Sequence, residues 1–441
     1  MRRVLRVSVA AGVIPGLLML CAGMYPGNPP ASRLLDMGFP LKVVYQHDSG
    51  SNVTVMRIVI PAGMRTVSGN QRGLAYLAAR TALEIPSASL VRDLLEKGAR
   101  FSSRVDGDQA VLSLISLSEH FGEAAAILGG ILSKPLVSAI RVNRIKETMG
   151  FREIVEREAP RALLRRTMVD HFLGSQGYGG GELGCESSRN NIRKKDVKRH
   201  LERFYNTEHM IVSVVSDLDA DRVQSLLRGI FRSIPRKSLF SGETEPRDLC
   251  PCEQVSLQDY ERELLQPMLA WGMKVPELNA ESFSMTRVLA RVLARGPGSL
   301  AWTLRDPMGL AYTVDCDVVH LRKGGVLLVY LYTGPGQIAL ARKKMETIFA
   351  GLINEGIPRK LWDSAVRSET VAWRSSLQSK AERGFWLASF ASLGLGIDLV
   401  DGYSDRIRRL SKSDADAFMR KLLDVNTRRL MVLGAGDPVE E

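Results

Sequence analysis

One order of elements occurs twice along this chain, and that repetition limits what it can fold into. Residues 73–97 are rich in helix-forming residues, Gly98 stops them, and a strand-like run follows at 110–117. In the second half, residues 283–304 read as helix with a break at Gly296-Pro297-Gly298 and a stop at Gly309. Two runs of β-branched and aromatic residues follow, at 312–321 and 326–332. Each half then returns to helix (121–132 and 337–354), passes a proline (Pro135 and Pro358) and enters a long charged helix (142–158 and 359–382). Each closes on a short apolar strand, at 210–215 and 429–433. Strands and helices mixed in this way within each half predict an α+β fold: two homologous sandwich domains, each a mostly antiparallel sheet covered by helices, facing across a groove. The 441 residues suit two hydrophobic cores of about 200 residues each better than one.

The boundaries follow from composition. Residues 1–30 open with Arg2, Arg3 and Arg6, continue through an apolar run at 7–20, and break into Pro26, Gly27, Pro29 and Pro30, the layout of a secretory signal. The apolar run, interrupted by Gly12, Pro15 and Gly16, falls short of the ~20 residues a spanning helix needs. It ends as Leu18-Met19-Leu20-Cys21, which loosely resembles a bacterial lipoprotein signal. Cys21 is therefore a candidate for lipidation and the N-terminus a candidate membrane attachment. The expected address is the periplasm or cell envelope. Residues 31–235 then form the first domain, 236–252 (with Gly242, Pro246 and Pro251) a linker, and 253–441 the second domain.

Charge and cysteines mainly exclude. With 45% apolar and 24% charged residues the chain is globular and not disordered. A net charge of +12 raises the question of nucleic acid, but the densest basic run, Arg189, Arg193, Lys194, Lys195, Lys198, Arg199 and Arg203, lacks the interleaved aromatics that stack bases. It reads as the solvated face of a helix, and no nucleic-acid partner is expected. Cys185, Cys250, Cys252 and Cys316 are too few and scattered for a disulfide framework, and Cys250-Pro251-Cys252 reads as ordinary cysteines in a connecting segment.

The stretch Arg72-Gly73-Leu74-Ala75-Tyr76-Leu77-Ala78-Ala79-Arg80 resembles the helix on which peptidase family M16, the pitrilysin and insulinase family, carries its inverted zinc motif H-x-x-E-H. There two imidazoles bind the metal and the Glu activates water. Here Tyr76 stands at the first His position, Ala79 at the Glu and Arg80 at the second His. A phenol, a methyl group and a cation cannot do that work. Glu153 matches the family's third, downstream ligand, with Pro160 following as in the family pattern. It is expected to be a remnant, paired with Arg80. His47, His171, His200 and His320 stand alone, and His120 and His209 each end a Glu-His pair without a first His.

The second half differs. Leu304-Arg305-Asp306-Pro307-Met308-Gly309-Leu310-Ala311-Tyr312 resembles the family's C-terminal signature, an Arg followed seven residues later by a Tyr after Gly-Leu-Ala. The resemblance implies that Arg305 and Tyr312 reach across a groove toward a zinc centre and hold the substrate carbonyl and the developing oxyanion, for which a guanidinium and a phenol are suitable donors. It also implies a non-catalytic subunit with no cofactor of its own. Zinc would sit in a zinc-bearing M16-like partner, and an extended peptide would lie between the chains as an added strand. A peptide-binding or scaffold protein with no hydrolysis anywhere is the alternative.

Overall fold

A computed structural model describes residues 31–236 and 266–434. The signal with Cys21, the linker from 237 onward with Cys250 and Cys252, and the last seven residues lie outside the described residues.

The first half builds a six-stranded sheet from β1 (Arg33–Leu35), β2 (Lys42–His47), β3 (Val53–Ile60), β4 (Arg100–Val105), β5 (Ala110–Leu117) and β6 (Ile211–Ser216), in the order β1-β2-β6-β3-β5-β4. Only the β2–β6 pair is parallel. Its helices are α1 (Leu74–Thr81), α2 (Ala88–Glu96), α3 (Phe121–Ser133), α4 (Ala139–Glu158), α5 (Pro160–Leu173), α6 (Glu186–Asn191), α7 (Lys194–Phe204) and α8 (Ala220–Phe231). The second half builds a four-stranded antiparallel sheet from β7 (Met268–Val275), β8 (Ala311–Leu321), β9 (Gly324–Thr333) and β10 (Arg429–Leu433), in the order β10-β7-β9-β8. Its helices are α9 (Ala280–Leu293), α10 (Ile338–Asn354), α11 (Arg359–Ser376), α12 (Lys380–Leu393), α13 (Asp398–Arg408) and α14 (Lys412–Leu422). The α+β class with mostly antiparallel sheets is as the sequence predicts.

Two long helical stretches divide. Residues 73–97 form α1 and α2, separated by a turn at Glu84-Ile85-Pro86-Ser87, because proline cannot continue a helix and Ser87 caps the next one by accepting from the Leu90 N–H at 3.3 Å. The charged helix beginning at Arg359 ends at Ser376, and Ser379 caps a separate α12.

Both faces of the central strands are buried, which explains why β3, β5, β6, β7 and β9 are mostly apolar. In β3, Met56, Ile58 and Ile60 point into the first core with α1 and α3, whereas Arg57 and Val59 point to the other side. That other side is covered by α12, a helix of the second half. The reverse holds in β7: Leu269, Trp271 and Met273 enter the second core, and Met268 and Ala270 pack against Leu163, Leu164 and Met168 of α5, a helix of the first half. Gly272 is glycine because a Cβ there would lie 2.5 Å from Met168 Sδ. The halves therefore do more than face one another. Each lends one helix to the other's sheet, and Lys380 at the start of α12 fixes one exchange by donating to the carbonyls of Asp48, Ser51 and Val53 at 2.7–3.0 Å.

Candidate functional site

The helix that would carry the metal motif starts at Gly73, held at φ 100°, where a side chain would strike the Leu183 carbonyl at 2.8 Å. This seats α1 tightly, and Tyr76 and Ala79 are buried within it. Tyr76 does not face an open site: its phenol accepts a hydrogen bond from Arg152 of α4, whose guanidinium also lies 5.2 Å from the Tyr76 ring centre. Ala79 is fully buried and offers no polar atom. Arg80 is exposed, and its guanidinium makes no hydrogen bond or ion pair among the described residues.

Glu153, the remaining ligand position, is not paired with Arg80 as the sequence suggests. Its Oε2 accepts from Arg189 Nη1 at 2.7 Å, and its Oε1 lies 3.1 Å from Arg157 Nε and 3.6 Å from Arg166 Nη1. Arg189 comes from the short α6, where it is 7% exposed, and it donates as well to the carbonyls of Gly184 (2.9 Å) and Leu183 (3.3 Å). The correction to Glu153 is also a correction to Arg189. The rest of the basic run lies on α7 and its approach, whose buried residues are Val197, His200 and Leu201, but Arg189 points inward because Glu153 and two carbonyls draw it there. A fixed internal cation thus satisfies the carboxylate that a metal would need.

The donor set does not fit zinc: one carboxylate held by guanidinium, one phenol held by Arg152, one methyl group and one free cation provide no ligand trio. Among the described residues no three His, Cys, Asp or Glu side chains group as metal ligands. Nearby, burial pushes the Glu182 carboxyl up to about 7, with the negative charge of Glu156 adding to the effect and Arg152 and Arg165 opposing it. His200 and His320 are buried apart from this cluster, and burial pulls both imidazoles down to about 3.

Arg305 and Tyr312 are arranged differently. The turn between them is held by backbone bonds, Gly309 N–H to the Arg305 carbonyl at 3.1 Å and Leu310 N–H to the Leu304 carbonyl at 2.8 Å. Gly309 sits at φ 64°. A bulge between Ala311 and Thr313 takes Tyr312 out of the ladder with β9 and leaves it 72% exposed. Arg305 is also exposed, its guanidinium 4.8 Å from the Trp302 ring. Neither residue makes a hydrogen bond or ion pair with the α1–α4 cluster. A contact unread in the sequence joins the two regions: Arg161, in the first turn of α5 just beyond α4, grips Asp317 of β8 through both carboxylate oxygens at 3.0 and 2.8 Å.

Cys185, one of the four cysteines read from sequence as too few and scattered for a disulfide framework, is disulfide-bonded. It stands at the N-cap of α6, four residues before Arg189. Cys316 is a free, buried thiol pushed up to about 12, chiefly by burial.

Two interlocked α+β lobes, with a motif helix that lacks the two His and the Glu of H-x-x-E-H, are the arrangement expected from the resemblance to M16 peptidases. Among known proteins, residues 191–369 match the family model described as "Peptidase M16 inactive domain". A Helicobacter pylori protein named "Non-peptidase homolog YmxG" is 21% identical over 406 residues, covering 87% of this chain and 89% of that one. A Rickettsia felis protein named "Uncharacterized zinc protease" is 20% identical over 299 residues, covering 66% of this chain and 71% of that one. The solved peptidase M16 inactive domain from Pseudomonas fluorescens superposes with a TM-score of 0.80 at 19% identity, over 93% of this chain and all of that one. The chain is thus similar to M16-type proteins, in fold over most of its length and in sequence to relatives that include one named a non-peptidase homolog.

Proposed function

We propose that this chain is the zinc-less, peptide-binding member of a heteromeric M16 metallopeptidase in the cell envelope. A partner supplies zinc and the general base; this chain supplies Arg305 and Tyr312 to the substrate carbonyl and oxyanion. The carrying observation is a contrast. Glu153 is locked onto Arg189 and Tyr76 onto Arg152, whereas Arg305 and Tyr312 stay exposed, with no side-chain hydrogen bond to another described residue. Binding-competent donors left free on one half and cancelled on the other suit division of labour between chains. The disulfide at Cys185 supports an oxidising compartment, and hence export.

The test is affinity purification of the tagged full chain from its own cells, with identification of bound chains and a zinc assay. A stoichiometric partner bearing H-x-x-E-H, with peptide hydrolysis lost in Arg305→Ala and Tyr312→Phe complexes, is the expected result. A second role, a peptide-binding or scaffold protein without hydrolysis, is favoured by the name of the Helicobacter pylori relative, a non-peptidase homolog. It would stand instead if the complex held no zinc and both substitutions left assembly and growth unchanged.

A further inference from the structure

An apolar pocket of about 230 Å³ opens beside the first sheet, between the end of α1, α2 and the edge strand β4. Its walls include Leu83, Val91, Leu94, Leu95 and Phe101, and Arg80 stands among them. Several features mark it as more than a packing defect. Leu95 is 70% exposed and Val91 38%, so its apolar wall is left open to water at a cost that an occupant would remove. Arg80 is the one lining cation, and its guanidinium has no ion pair or hydrogen bond among the described residues. The lining carboxylate, Glu84, does not neutralise it, being held by Arg141 at 3.2 Å and by Arg144. The pocket therefore combines an apolar cavity with an uncompensated guanidinium. It is smaller than the roughly 300–1,000 Å³ of small-molecule sites, the scale of one side chain and its end group.

The neighbouring strand supplies direction. Among the described residues β4 pairs only with β5, which leaves its other edge open to an added strand. Phe101 points to the helix side and forms one wall of the pocket, so a residue added opposite it would direct its side chain the same way.

We infer that the pocket takes the C-terminal residue of a polypeptide, an aliphatic or aromatic side chain filling the cavity and the free terminal carboxylate pairing with Arg80. This rests on the peptide-binding role proposed above and specifies its substrate class: polypeptides captured by an apolar C-terminus. A guanidinium fork matches a carboxylate through two parallel hydrogen bonds, which an amidated terminus cannot accept in the same way.

The test presents the immobilised full chain with a pool of decapeptides, random except for a terminal Leu or Phe, made half as free acids and half as C-terminal amides. The expected result is retention of free acids at least tenfold over amides, loss of that preference in Arg80→Gln with amide retention unchanged, and weaker retention of both forms in Leu95→Glu, a substitution at an exposed position. Equal retention of acids and amides by the native chain would overturn the inference while leaving peptide binding intact. Retention of neither form, in a chain whose thermal unfolding is normal, would overturn the peptide-binding role as well. Binding of decanoate without binding of any peptide would reassign the pocket to free carboxylic acids and also overturn the inference.

Discussion

Arg189 and Glu153 show what one residue can decide. Both are nearly inaccessible, and removing one partner of a buried pair typically costs about 3–5 kcal/mol because the other charge stays behind. Arg157 and Arg166 still face Glu153, so Arg189→Ala should cost about 3 kcal/mol by urea unfolding, the lower end of that range, and the double change Glu153→Met, Arg189→Met should recover most of it. The same pair predicts that Tyr76→His, Ala79→Glu and Arg80→His combined will not restore zinc, because the third ligand is already held; one zinc per chain in that variant would show that Arg189 yields. Glu182 gives a pH signature. Its folded pKa of about 7 lies above the ordinary 4.5, so the folded state binds the extra proton. Its contribution is fully present below about 4.5 and lost as pH rises through 7. Glu182→Gln should accordingly raise Tm at pH 8 more than at pH 5, and equal shifts would refute the assignment. That Tyr76, Ala79 and Arg80 stand where the H-x-x-E-H motif would have its His, Glu and His could be read from the sequence, because the motif is local. The capture of Glu153 by Arg189 could not be, since 36 residues separate them and a basic run gives no sign of which member turns inward.

At the scale of elements, most strands and helices could be read from periodicity: 110–117, 121–132 and 429–433 match β5, α3 and β10 within a residue. What periodicity hid was which sheet a helix serves. Helix α12 has Phe385 and Ala388 packed on the first sheet while Leu387 and Phe390 enter the second core, so it is apolar on more than one side, and no single stripe announces its partner. Polar contacts fix its placement. Arg57 of β3 donates to the Ala381 carbonyl at 3.2–3.3 Å, Ser213 of β6 donates to the Gly384 carbonyl at 2.5 Å, and Lys380 binds three carbonyls. Lys380 is 8% exposed, so Lys380→Met keeps the length of the side chain but strands those acceptors. A loss of about 2–3 kcal/mol is expected, in line with charge-assisted bonds. Hydrogen exchange should quicken in α12 and in β3 together. Faster exchange confined to α12 would mean that the helix is not what protects the sheet.

For the whole molecule, the repeated grammar predicted two lobes, and two sheets with their own cores are present. It also invited the idea of two separable domains, and the exchange of α5 and α12 argues against separability. A first half expressed alone, residues 31–236, would expose Val59, Val111 and Ile211 on the sheet face that α12 covers. It would also carry α5 with Leu163, Leu164 and Met168 unpartnered, because their contacts lie on β7, β9 and β10. Each exposed face is a sticky apolar surface of the kind that drives aggregation. Either half alone should therefore be poorly soluble or lack a cooperative thermal transition, and co-expression of the two as separate chains should restore a soluble 1:1 complex through the same exchange. Cooperative, reversible unfolding of the first half alone would show that one face of its sheet does not need α12. That outcome would bear on function too, because Arg161 and Asp317 reach across the halves and join the α4–α5 junction near Glu153 to β8, the strand that carries Tyr312. If the halves fold as one, the position of Tyr312 relative to the cluster around Glu153 is set by the fold itself, and the surface that the proposed role requires is preformed.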